Sequence, residues 1–176
     1  MTDLILLANL LDGPKHGYQL KKQAGLIFSH DVLHNNVVYP LLHRFEKKGW
    51  VSRKTVSGHR GQTRYQYALT RRGKEELIRQ ISEFPGDGRS SPEAFFLRVG
   101  LFSFLTPEVR RRILETREGE LRTDARYFER LQTELQLEGY GAEVVNFLAR
   151  SVRLELAWIR RLRSRESEVR GGQPRA

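Results

Sequence analysis

Asn36-Val37-Val38-Tyr39-Pro40-Leu41-Leu42-His43-Arg44-Phe45-Glu46-Lys47-Lys48-Gly49, followed at once by Trp50-Val51-Ser52-Arg53-Lys54-Thr55-Val56, is the stretch that decides the fold. Its first part repeats with the period of a helix. Val38, Leu41, Leu42 and Phe45 recur at spacings of three and four, so they form one apolar stripe that must face a core. Asn36, Tyr39, His43 and Lys47 recur at the same spacings on the other side, with Arg44 and Lys48 beside them. Gly49 stops the helix. Pro40 has no N–H to donate, which predicts that it sits in the first turn. The second part alternates and is β-branched, as a strand is. Ser57 to Gln62 reads as a turn, and Arg64-Tyr65-Gln66-Tyr67-Ala68-Leu69 as a second strand. The two strands and their turn predict a hairpin.

Working outward, Thr2 or Asp3 can cap a helix that runs through Leu11 and ends at Asp12-Gly13-Pro14. A second helix is expected from about His16 to Leu26. Downstream of the hairpin, Thr70 can cap a helix that continues to about Glu83. Three helices and then a two-stranded wing is the order of a winged helix-turn-helix.

The chain has 176 residues, with 31 Lys and Arg against 21 Asp and Glu, a formal net charge of +10. The surplus is local: Val32 to Lys74 holds ten basic residues and one acidic residue, Glu46. Such a patch attracts a polyanion, and duplex nucleic acid is the commonest one. The outward row on the third helix suits it. Amide and imidazole groups can pair with base edges, while a phenol and cations can hold phosphates. An arginine at a hairpin tip between glycines can enter a minor groove. The candidate DNA-binding residues are therefore Asn36, Tyr39, His43, Arg44, Lys47, His59, Arg60, Gln62 and Arg64.

Other classes find less support. There is no cysteine, hence no thiol nucleophile, disulfide or Cys-based zinc site. Phosphate-binding, dinucleotide-binding, zinc-protease and serine-hydrolase fingerprints are missing, so an enzyme is not expected, and neither is a cofactor. His30 and His34 stand four apart, a metal-ligand spacing only if helical, and they fall in the expected loop between the second and third helices. No metal site is expected. Leu4 to Leu11 is too short to span a bilayer, which takes about 20 residues. With only Met1 and Thr2 before Asp3, no secretory signal is expected, and a cytoplasmic location is the default. RNA binding is weaker for want of paired aromatic motifs. A winged-helix protein–protein adaptor remains the alternative.

A boundary falls at Pro85-Gly86-Asp87-Gly88-Arg89-Ser90-Ser91-Pro92, which is made of turn formers. The expected organisation is a DNA-binding domain at 1–84, a linker at 85–91, a helical dimerisation region at 92–166 and a disordered tail at 167–176. In the helical region Thr106-Pro107-Glu108 can open a long helix: a capping side chain, Pro at the first position, then an acid. About 31 residues would give a rod of roughly 46 Å. Leu114, Leu121, Phe128 and Leu135 repeat every seven residues and want a partner helix, with a polar flanking stripe that includes Arg117 and Asp124. A further helix from about Ala142 to Arg163 offers Val145, Leu148, Val152, Leu156, Ile159 and Leu162, with the hairpin closed at Glu138-Gly139-Tyr140-Gly141. The seam can be satisfied within the chain or across a two-fold axis. A dimer is favoured, because DNA readers of this size usually need two half-sites.

Three motifs carry a family resemblance. Gly13-Pro14-Lys15-His16-Gly17-Tyr18-Gln19-Leu20 resembles the start of the second helix in PadR-type transcriptional regulators. Val38 to Gly49 resembles their recognition helix, and Tyr67-Ala68-Leu69-Thr70-Arg71-Arg72-Gly73 their step from wing to helix. The resemblance implies a mainly α protein, an N-terminal winged helix followed by a long-helix dimerisation region. It implies a homodimeric repressor on a pseudo-palindromic operator, with Tyr18 and Tyr39 near phosphates and Arg60 in the wing on the duplex. It also implies release by a small aromatic or phenolic effector, whose pocket the sequence does not mark. One departure stands out. The family often has Gly and then Thr or Ser where this chain has Asn36-Val37, and Val37 has no hydroxyl to give a phosphate.

Overall fold

The structure, a computed structural model, describes residues 2–28, 35–57, 63–84, 91–135 and 138–171. The chain divides into two compact units, residues 1–83 with 91–104, and residues 84–90 with 105–176.

The first unit opens with helix α1 (Thr2–Asn9), a two-residue strand β1 (Lys15–His16), α2 (Gly17–Phe28) and α3 (Asn35–Lys47). Strands β2 (Val51–Ser57) and β3 (Thr63–Leu69) follow, then α4 (Arg71–Ser82), α5 (Pro92–Gly100) and a 3-10 turn at Phe102–Phe104. This is a winged helix with the expected element order. Leu4, Leu6 and Leu7 of α1, Leu20 of α2, Val38, Leu42 and Phe45 of α3, and Leu77 and Ile81 of α4 fill the core. The stripe read from the third helix is thus buried, except that Leu41 is only half-buried. Sequence reading groups 92–104 with the helical region. By contacts this segment joins the first unit, bringing Phe95, Leu97 and Phe102 as buried side chains.

The sheet differs from the expected two-stranded wing. It has three antiparallel strands in the order β1-β3-β2. Lys15 pairs with Tyr67 and His16 with Gln66, while β2 and β3 pair from Val51↔Leu69 to Ser57↔Thr63. Two residues carry no readable period, so β1 is invisible in the sequence. Pro40 also departs from expectation. It is the sixth residue of α3, inside the helix rather than in its first turn. The Asn36 carbonyl loses its i+4 donor there. Both residues are exposed, so water can serve that carbonyl.

The step from wing to α4 is held by polar contacts and a close approach. Thr70 accepts the Gly73 N–H on its side-chain oxygen at 2.9 Å, which caps the helix. Its hydroxyl donates to the Gly49 carbonyl at 2.7 Å. Gly73 lies so near β2 that a Cβ there would stand 1.9 Å from the Trp50 carbonyl oxygen. No side chain fits at 73.

The second unit is a hairpin of two long helices, α6 (Pro107–Glu134) and α7 (Gly139–Gly171). Thr106 is the N-cap of α6 and Pro107 follows it, but the Thr106 side chain makes no capping hydrogen bond. That part of the expected start is corrected. Helix α7 begins at Gly139, which has φ +59, so the connection lies before the Gly139-Tyr140-Gly141 segment that was expected to form it. The helix reaches Gly171, five residues into the stretch expected as tail; residues 172–176 lie outside the described ones.

Two seam residues, Leu114 and Leu121, are buried within the single chain, as in the alternative of a seam satisfied by the last helix. The cause is α7, whose Val145, Val152, Leu156 and Ile159 form a matching buried stripe. Phe128 is half-buried, and Leu135 at the far end is 57% exposed. Arg117, expected on a polar flank, is buried. Its guanidinium forks onto both carboxylate oxygens of Glu155 on α7, at 2.8 and 3.2 Å, and reaches Glu120 at 3.0 Å. Burial works against its charge, but the paired carboxylates more than offset that and raise its pKa. A slipped register between α6 and α7 would leave a buried charge without its partner.

Among the described residues, no helix is long and apolar enough to cross a membrane. No group of three or more His, Asp or Glu among them could hold a metal ion. His30 and His34 fall outside the described residues.

Candidate nucleic-acid interface

Helix α3 presents the expected row. Asn36, Tyr39, His43 and Lys47 are all exposed, opposite the buried Val38, Leu42 and Phe45. The amphipathic period alone forces this. Once four apolar positions turn inward, the positions between them must turn outward.

The remaining cations are not all equally available. Arg44 is ion-paired with Asp3 at the start of α1, which ties α3 to α1. Lys48 lies over the Trp50 ring at 4.3 Å, and Trp50 packs on Phe45 at 5.6 Å. Arg53 pairs with Glu46 at 3.1 Å and lies over the Tyr65 ring at 4.7 Å. Arg64 is exposed on β3. His59, Arg60 and Gln62, expected at the wing tip, fall outside the described residues.

Tyr18, Tyr39 and Arg64 come together. They line one open hollow of about 550 Å³ with His16, Gly17, Tyr65 and Tyr67. β1 brings His16 to the sheet, where its Nδ1 lies 3.1 Å from the Tyr65 carbonyl oxygen. The His16 and Tyr18 rings stack, 5.8 Å apart and 11° from parallel. The Gln19 side chain accepts the His16 N–H at 2.8 Å, reaching back one turn as in a capping box. Tyr67 is buried. Burial pushes its hydroxyl above the ordinary value, against the pull of Arg53. Tyr18 and Tyr39 are exposed. Phenol hydroxyls and a guanidinium around one opening are donors for an oxyanion.

Sequence reasoning missed His16, Gly17, Tyr65 and Tyr67 as parts of this hollow. The sequence shows the aromatic alternation of Tyr65 and Tyr67 in β3, but the strand that joins His16 to it is too short to leave a pattern.

Residues 6–79 match the model of the Transcriptional regulator PadR-like family. No curated protein matches the chain. Among solved structures, PadR of Bacillus subtilis in complex with operator DNA overlaps at TM-score 0.45 and 16% identity, over 93% of this chain and 98% of that one. A PadR family regulator of Clostridium difficile overlaps at TM-score 0.42 and 24% identity, over 60% and 98%. A transcriptional regulator of Thermoplasma acidophilum overlaps at TM-score 0.43 and 24% identity, over 58% and 86%. The domain match covers the second half of α1, β1, α2, α3, the wing and most of α4, where the three sequence motifs also lie. Residues 6–79 of this chain, built as a winged helix, are thus similar to the PadR-like family of transcriptional regulators.

Proposed function

We propose that the protein is a sequence-specific DNA-binding repressor that acts as a homodimer on a pseudo-palindromic operator. The observation that carries this is the exposed row of Asn36, Tyr39, His43 and Lys47 on α3, inside a segment with ten basic residues and one acidic one. Asn36 and His43 are suited to base edges, Tyr39 and Lys47 to phosphates. Tyr18, Arg64 and the wing residues His59, Arg60 and Gln62 extend the contact, and Arg44 joins it by releasing Asp3. The charge surplus favours a duplex over a protein partner, which distinguishes this reading from that of a winged-helix adaptor. The protein binds rather than catalyses, and its place is the cytoplasm.

The second unit supports the dimer. Along α7, Tyr140, Val144, Phe147 and Leu154 are exposed and recur at four, three and seven residues. This is a second apolar stripe, separate from the one that covers α6. A heptad stripe of this kind fits a second copy of the helix pair. It takes over the pairing role first expected of Leu114 and Leu121. Two recognition helices on one duplex face then read half-sites about 34 Å apart. A small aromatic or phenolic effector releases such a dimer if it binds the DNA-incompetent geometry more tightly. Adding planar aromatic acids to the preformed complex tests that step.

Selection of bound fragments from random duplex DNA at about 0.1 M salt tests the whole, because it separates specific binding from bulk attraction. A palindromic consensus is expected. Tyr39→Ala and Lys47→Ala should each weaken binding about tenfold while remaining folded. An adaptor would bind no duplex even at low salt.

A further inference from the structure

Gly17 is the first residue of α2 and lies against the ring of Tyr39 on α3. A Cβ placed on Gly17 would stand 2.7 Å from Tyr39 Cε1 and 3.2 Å from its Cζ and Oη. Non-bonded carbons settle at about 3.5–4.0 Å, so something would have to move. The backbone does not explain this glycine. The positive-φ glycines of the described residues are Gly13, Gly49 and Gly139. Alanine would fit the φ of residue 17, and it is the better helix former. The Tyr39 ring is 43% exposed, so an added methyl would swing the ring outward and leave α2 and α3 packed.

We infer that Gly17 is a positioning residue for duplex binding: its bare Cα lets the Tyr39 phenol sit beside Tyr18 and Arg64 in one hollow, where they share a backbone phosphate. This inference rests on the duplex-binding reading above. Gly17 itself need not touch the DNA. Its effect passes through the ring, and that makes it separable from a fault in folding.

The test uses the full chain and a labelled duplex recovered by selection, titrated by fluorescence anisotropy. The parent, Gly17→Ala, Tyr39→Ala and the double variant are compared, each with its thermal midpoint. Gly17→Ala is expected to bind about tenfold more weakly than the parent, at an unchanged or higher midpoint. The double variant is expected to bind no more weakly than Tyr39→Ala, since the ring through which the methyl acts is gone. Equal binding by Gly17→Ala and the parent would overturn the inference. So would a further loss from Gly17→Ala in the Tyr39→Ala background, which would mean that the methyl meets the DNA directly. Unfolding of Gly17→Ala would overturn it too, because the ring would then not be the part that yields. A parent that binds no duplex at low salt removes the duplex-binding reading, and the inference with it. A parent that binds while Gly17→Ala binds equally removes the inference alone.

Discussion

The two units place their charged and apolar groups in opposite ways. In the winged helix, the outward face of α3 carries Asn36, Tyr39, His43 and Lys47, while Val38, Leu42 and Phe45 are spent on the core. In the helix pair, a few charges lie inward while apolar side chains stand outside. Arg117 and Glu118 are buried, whereas Phe147 at 67% and Leu154 at 70% exposure stand outside. A face for a hydrated polyanion keeps its donors in water, because they are exchanged for phosphate oxygens only on binding. A face for another protein keeps apolar area outside, because burying that area is what drives association. The same chain thus carries an exposed polar and cationic row on one unit and an exposed apolar stripe on the other.

The sharpest way to break this contrast is to put a charge on the α7 stripe. Phe147→Asp should leave each chain folded, since the side chain is exposed, and should yield a monomer in sedimentation. Losing the second, tethered half-site should cost about a hundredfold or more in affinity for a palindromic duplex. A dimer that persists in this variant would show that the stripe is not the interface. A smaller effect compares two ends of one heptad series. Leu121→Ala should destabilise the second unit by about 3 kcal/mol in urea unfolding. Leu135→Ala should change it by no more than about 0.5 kcal/mol. Equal costs would mean that Leu135 is covered in solution.

How far these features could be read in advance follows from their range in the sequence. The period of α3, the stop at Gly49, the strand alternation and the Thr70 cap are local, and each is legible. β1 is not, because its pairing partner Tyr67 lies some fifty residues away and its own two residues repeat nothing. The outward row of the site was legible for the same reason as the helix was. The hollow was not, since it depends on where β1 and β3 meet. In the second unit, a seven-residue spacing gave the seam but not its partner. The series Leu114, Leu121, Phe128 and Leu135 looks uniform, yet it is covered at one end and bare at the other, because α7 supplies its apolar cover unevenly. Arg117 misled for a related reason. A charged residue beside a seam reads as solvated until a carboxylate from another helix meets it.

Acid should separate the two units by the smallest of these effects. In the first, hydrogen bonds from Arg79 hold Glu76 down to about 2, with Gln80 adding to them. Those hydrogen-bond partners sit on α4 itself, with only a weaker charge attraction from Lys48 outside it, so protonating Glu76 chiefly loosens one helix face. In the second, the Arg122 hydrogen bond lowers the Glu118 carboxyl below its ordinary value, and Arg163 adds to it. Arg163 is on α7, so this carboxylate links the two helices. For a carboxyl held low in the folded chain, the stabilisation is complete above its unfolded value and fades as pH falls through the folded one. Stability of the helix pair should therefore decline as pH falls below about 5. Glu118→Gln should flatten that decline in the amide exchange of α7, while Glu76→Gln should leave it unchanged. If Glu118→Gln keeps the full slope, the acid sensitivity belongs to other carboxylates.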